Sequence, residues 1–180
     1  VLPRIIEVAS DTSFYEFMQE RVFNPLEMNN TYFYVPNDKK SKRVVLEGFD
    51  FSSKKSGWGL SSAAEDYLHF NQMLLNGGEF DGTRIVSRKT VESMTVDHTG
   101  DIEFRNGQGF GLGFSIVENV GARGLPGSKG EYGWGGAYHS TYWVDPVEDL
   151  VVVYLTQLIP ARGLDDQGRL RALIYQAIED

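Results

Sequence analysis

The apolar residues of this chain change their period at the start of the strands. Up to about residue 100 they recur every third or fourth position, from Gly109 every second, and in the closing segment every third or fourth again. A period near 3.6 turns one face of a helix toward a core, and a period of two does the same for one face of a strand. The pattern therefore predicts helices first and an antiparallel sheet afterwards, an α+β fold in which the sheet carries flanking helices. With 180 residues, 41% of them hydrophobic, one core can be buried, so a single domain over 1–180 is expected. Its mainly helical part covers 1–100, and antiparallel strands with a C-terminal helix cover 101–180.

Local signals place the elements. Leu2, Ile5, Ile6 and Ala9 share a helical face, and because that pattern is already running beside Val1, the chain reads as a piece cut from a longer one. A second helix opens at Ser13, whose hydroxyl caps while Glu16 answers three residues on; Phe14, Phe17, Met18 and Val22 form its inner face and Pro25 stops it. The polar stretch 36–44 reads as a surface loop. Ser62-Ala63-Ala64-Glu65 repeats the capping pattern, with Ala64, Tyr67, Leu68, Leu74 and Leu75 on the inner face and Asn76-Gly77-Gly78 as the stop. Asp81-Gly82 marks a turn, and Ser87 caps a short helix through Met94. Phe110, Leu112, Phe114 and Ile116 then alternate along what reads as one strand, Gly133 to Val144 reads as a second, and Leu150 to Leu155 as a third. That third run is apolar on both faces, as expected of a central strand covered on both sides. Leu170, Leu173, Ile174, Ala177 and Ile178 give a closing one-faced helix.

Several function classes are disfavoured. A net charge of −8, from 17 basic and 25 acidic residues, lacks the positive face that nucleic acid or an anionic membrane requires. No cysteine is present, which removes disulfides, thiolate zinc sites and a cysteine nucleophile. No apolar run reaches the roughly 18 residues of a membrane span. His69 and His98 stand without metal-ligand spacing, so no metal and no cofactor is expected. Gly107, Gly109, Gly111 and Gly113 alternate with apolar residues and are followed by no Gly-Lys-Ser/Thr, so they read as close-packing strand glycines. Lys39, Lys40, Lys42 and Arg43 read as a solvated loop tip. His139 and Ser140, adjacent on a strand, would point to opposite faces and form no dyad.

In order along the chain, several segments resemble the serine β-lactamase-like superfamily: class C β-lactamases, their esterase relatives and D-amino-acid-peptide hydrolases. Ser13-Phe14-Tyr15-Glu16-Phe17-Met18, Phe23-Asn24-Pro25-Leu26-Glu27-Met28 and Thr31-Tyr32-Phe33 look like the family's helix and following turn. Gly59-Leu60-Ser61-Ser62-Ala63-Ala64-Glu65-Asp66 looks like its next helix entry, and Leu74-Leu75-Asn76-Gly77-Gly78 continues it. Gly109 to Phe114, Gly133-Trp134-Gly135-Gly136 and Trp143-Val144-Asp145-Pro146 complete the run. The resemblance implies the C-terminal part of the β-lactamase/transpeptidase-like fold, so that 1–180 is a partial domain.

The resemblance also implies chemistry. The family's nucleophile is the serine of Ser-x-x-Lys, assisted by a tyrosine in Tyr-x-Asn, and both precede the segments matched here. No Tyr-x-Asn occurs, and Ser52-Ser53-Lys54-Lys55, the one Ser-x-x-Lys, lies in a polar stretch without helical pattern. No catalytic residue is therefore expected in the chain, which should be inactive alone. The strand that bears Lys-Thr-Gly in β-lactamases, and His-x-Gly or Trp-Gly-Gly in many relatives, corresponds to Trp134-Gly135-Gly136. Trp134, Gly135, Gly136 and Ala137 are thus the expected substrate wall, with the oxyanion N–H at Gly136 or Ala137. Trp134 in place of the lysine moves the expectation toward esters. The parent protein is read as an ester- or amide-cleaving serine hydrolase with a small-molecule substrate. The alternative is a non-catalytic binding or scaffold module of that fold. A strand edge and apolar face left without cover predict self-association.

Overall fold

A computed structural model describes residues 1–33, 35, 60–102, 104–159 and 161–179. The basic group at 39–43 and Ser52 to Lys55 lie outside the described residues. Helix α1 (Leu2–Ser10) is followed by α2 (Phe14–Met18), which runs on into a π-helical turn, Gln19–Phe23. At Ser13 the reciprocal cap forms: its hydroxyl accepts from the Glu16 N–H, and the Glu16 carboxylate accepts from the Ser13 N–H. The run ends at Phe23, two residues before Pro25. Helix α3 (Ala64–Leu75) leads to a hairpin of β1 (Glu79–Phe80) and β2 (Thr83–Arg84), whose Asp81 and Gly82 both have positive φ, the geometry of a tight primed turn. Helix α4 (Arg88–Met94) is capped by the Ser87 hydroxyl.

The sheet is a meander. Strands β3 (Gln108–Phe110), β4 (Ser115–Val117), β5 (Tyr132–Gly135), β6 (Thr141–Asp145) and β7 (Leu150–Tyr154) lie side by side in that order, all antiparallel, with α5 (Val120–Arg123) between β4 and β5 and α6 (Asp166–Gln176) after β7. Pleating divides β6 between two cores. Tyr142 and Val144 face the main cluster of Phe23, Leu26, Met73, Leu74, Ile116 and Tyr132, beneath α2 and α3. Trp143 and Asp145 face α6, where the Arg171 guanidinium lies 4.0 Å above the Trp143 ring and the Tyr175 hydroxyl donates to Asp145. Arg171 also meets Glu131 at 2.6 Å, and Glu131 sits 2.9 Å from Arg123 and accepts from Tyr175. This buried ionic group ties α6 to the sheet. Burial and the neighbouring carboxylates push the Tyr175 hydroxyl well above the usual tyrosine range.

Five sequence expectations are corrected. Residues 109–117 form a hairpin, not one strand: Gly111 donates to the Phe114 carbonyl and Gly113 adopts φ 101°, so the alternation included the turn itself, with Leu112 exposed at its tip. Residues 133–144 likewise fold back at 136–140 into β5 and β6. β7 ends the sheet order among the described residues and is not central; α3 covers it, and all five of its residues are half-buried. Ser62 does not cap α3, whose N-cap is Ala63 without a side-chain bond; its hydroxyl instead bonds Thr31, and Thr31 donates to Asp66. Helices α3 and α6 are also rotated from their apolar stripes. α3 buries Asp66, Asn71, Met73 and Leu74 while Ala64 and Leu68 are exposed, and α6 buries Arg171 while Leu173 is exposed. In both, paired polar groups take inner positions that hydrophobicity alone assigns to leucine.

Candidate active-site wall

Trp134 and Gly135 close β5, and Gly136 and Ala137 open the turn into β6. β4 pairs with β5 only as far as Ser115↔Gly133, while β6 accompanies it to Gly135↔Thr141. From Trp134 to Ala137 the chain thus has a sheet neighbour on one side only. The glycines differ in cause. A Cβ at Gly133 would collide with the Tyr142 carbonyl, so packing demands glycine there. At Gly135 and Gly136 it would meet Ser140 at 3.4 and 3.7 Å, ordinary contact, so packing does not account for their smallness.

Residues 136–139 form a β-turn in which the His139 N–H donates to the Gly136 carbonyl at 3.1 Å. The Gly136 N–H donates to the Ser140 carbonyl at 2.8 Å, whereas the Ala137 N–H has no acceptor among the described residues. Of the two expected oxyanion donors, Ala137 is the one still available. The turn is held from behind. Thr156 Oγ1 and the Leu158 N–H both donate to the Tyr138 carbonyl, the Ser140 hydroxyl donates to the Thr156 carbonyl, and Gln167 Nε2 donates to the His139 carbonyl. His139, at φ 64°, places Nε2 2.7 Å from Asp166 Oδ1, and the Tyr154 hydroxyl donates to Asp166 Oδ2 at 2.8 Å. The bond from His139, then that from Tyr154, holds the Asp166 carboxyl below the usual aspartate range. His139 and Ser140 occupy a turn, not a strand, and each is engaged separately.

Of the aromatic residues around this strand, Tyr132, Tyr142 and Trp143 are packing residues. Tyr132 meets Phe114 edge-on at 5.4 Å, and Tyr142 meets Tyr67 at 5.0 Å; burial pushes both tyrosine hydroxyls upward. Trp134 differs, being 37% exposed. Phe104 stacks beside it at 6.1 Å and 25°, Phe110 meets it edge-on at 5.3 Å, and the Arg105 guanidinium lies 5.1 Å above its ring. This shelf was not read from the sequence. Its one local signal is the Asn106-Gly107 turn, which returns Phe104 and Arg105 over β3.

The two isolated histidines have structural partners: His69 Nδ1 lies 2.9 Å from the Leu26 carbonyl, and His98 Nε2 lies 2.7 Å from that of Ser93. Gly109 and Gly111 pack against Asp97 and the Met94 carbonyl, the close approach expected of them. Among the described residues no group of three or more potential ligands could hold a metal ion, and no helix is long and apolar enough to cross a membrane.

An antiparallel sheet with helices on both faces agrees with the β-lactamase/transpeptidase-like fold of the structural neighbours. The chain belongs to the Beta-lactamase family, whose model matches residues 1–176. It is 32% identical to Protein Rv1367c of Mycobacterium tuberculosis over 92% of its own length. It spans about half the length of that relative, 48%. Among solved structures it is similar to EstCE1, described as a hydrolase with promiscuous acyltransferase activity, at TM-score 0.77 and 21% identity, over 97% of this chain and 54% of that one. An octameric penicillin-binding protein homologue from Pyrococcus abyssi matches at TM-score 0.63 and 21% identity, over 88% of this chain and 36% of that one. These structural likenesses show the fold.

Proposed function

We propose that this chain supplies the substrate-facing wall of a serine hydrolase that cleaves esters or amides through an acyl-enzyme. The observation that carries the reading is the open end of β5, where the Ala137 N–H has no acceptor among the described residues, in a turn held by Thr156, Leu158 and Gln167. A rigid donor aimed at developing negative charge needs no reorganisation in the transition state, which is how an oxyanion site acts. Trp134 supplies an apolar plane beside it, and Gly135 and Gly136 let the scissile carbonyl approach the backbone. On this reading the nucleophilic serine and its lysine come from residues beyond these 180, and the chain alone turns over no substrate. The structural neighbour described as a hydrolase with promiscuous acyltransferase activity supports acyl transfer as the reaction class.

Ala137→Pro removes this N–H at a turn position where proline is favoured, so the backbone should persist. In the natural full-length protein, kcat for a chromogenic butyrate ester should fall about 10²–10³-fold with little change in KM. Undiminished turnover in that variant, or serine-dependent turnover by the 180-residue chain itself, would sink the proposal.

A further inference from the structure

The Gly136 carbonyl and the Ala137 N–H are two ends of one planar peptide unit, so whatever holds the first sets the direction of the second. That carbonyl accepts from the His139 N–H at 3.1 Å, while the Gly136 N–H donates to the Ser140 carbonyl at 2.8 Å. The two bonds that grip Gly136 thus leave from either side of the His139 α-carbon. They form together because His139 turns the chain back at φ 64°, in the left-handed region. A residue with a Cβ seldom takes that conformation without support from its surroundings.

The support comes from the head of α6, 27 residues on. Asp166 Oδ1 lies 2.7 Å from His139 Nε2, and Gln167 Nε2 donates to the His139 carbonyl at 2.8 Å. Asp166 is itself steadied, since the Tyr154 hydroxyl at the end of β7 donates to its second oxygen at 2.8 Å. The His139 side chain is 15% exposed, so the contact is not a freely solvated surface pair. The other bonds to the turn, from Thr156 Oγ1 and the Leu158 N–H, reach the Tyr138 carbonyl and leave the rotation at His139 unset.

We propose that Asp166 is a positioning residue: acting through His139, it holds the turn in the conformation that sets the direction of the Ala137 N–H. Its bearing on catalysis rests on the oxyanion role proposed above, and the test separates the two. In the natural full-length protein, hydrogen exchange at the Gly136 amide reads the turn, and turnover of the chromogenic butyrate ester reads the reaction. Asp166→Ala should speed that exchange at least about tenfold while the amides of β6 stay protected. It should also lower kcat about tenfold with KM little changed. His139→Gly added to Asp166→Ala should return both readouts most of the way, because glycine takes positive φ without an anchor. A contact that serves stability alone would show no such rescue. Asp166→Asn keeps an acceptor oxygen for His139 and should lie between the wild type and Asp166→Ala. Unchanged exchange in Asp166→Ala, a loss that His139→Gly does not recover, or a level kcat alongside a damaging Ala137→Pro would overturn the proposal. Exchange that responds and recovers, while neither Asp166→Ala nor Ala137→Pro alters kcat, would uphold the positioning and count against the oxyanion role alone.

Discussion

Gly133 and Gly135 stand two positions apart on one side of β5 and meet different surroundings. Gly133→Ala forces a methyl into the β6 backbone and should cost about 1–3 kcal/mol in urea unfolding. Gly135→Ala should unfold within about 0.5 kcal/mol of the wild type, because its methyl meets only ordinary contact. If position 135 serves substrate approach, that same variant lowers acylation without lowering stability. Asp166 gives a pH dependence. Its folded-state proton affinity is depressed by His139 and then Tyr154, so its contribution is present above the ordinary aspartate value and lost as pH falls through the depressed one. The stability difference between wild type and Asp166→Asn should therefore shrink in acid unfolding series below that range. A difference that instead grows toward acid would contradict the assignment. Asp166 could not be picked from the sequence, since it acquires its role from a partner brought close by folding, His139 across 27 residues.

At the scale of elements, periodicity located the sheet but not its folds. The glycines of 109–113 and 133–136 look like one face of a strand in a pattern count, yet Gly113 bends a hairpin and Gly136 begins a turn. Apolar pattern records which residues avoid water and not where the backbone reverses. Capping chemistry was legible at Ser13 and Ser87, whose other hydroxyl partners, Glu16 and Thr90, lie in the same first turn, and failed at Ser62, which bonds Thr31 across the fold. Helix α6 shows a similar limit. Its inward Arg171 is stable only because Glu131 and Trp143 wait for it. Arg171→Ala should cost about 3 kcal/mol or more, since it leaves buried Glu131 with Arg123 as its one remaining cation. Chemical denaturation measures this, and a loss below about 1 kcal/mol would show the ionic group to be incidental.

For the whole molecule, family membership was legible from motifs in series because such motifs mark turns and helix entries, the places where a fold tolerates few residues. The wall proposed at Trp134 to Ala137 is named from the sequence alone, and the choice between Gly136 and Ala137 as its donor comes from the turn's hydrogen bonds. Surfaces left open bear on assembly. Among the described residues β7 ends the sheet, a five-residue strand without proline or lysine, and α1 exposes Leu2, Ile5 and Val8. Such surfaces favour association, so light scattering on the chain should give a mass above its 20.2 kDa. A strictly monomeric particle at working concentration would count against it.

The meander also bears on time. Every strand from β3 to β7 pairs with its immediate neighbour in the chain, so the sheet closes short loops and defers no long-range search. The helical half, by contrast, meets the sheet across long separations, as when Tyr67 packs on Tyr142. During refolding, amides of β5, β6 and β7 should become protected from exchange before those of α1 and α2. The proposed substrate wall would then be an early-forming template, shaped before the rest of the molecule arrives to use it.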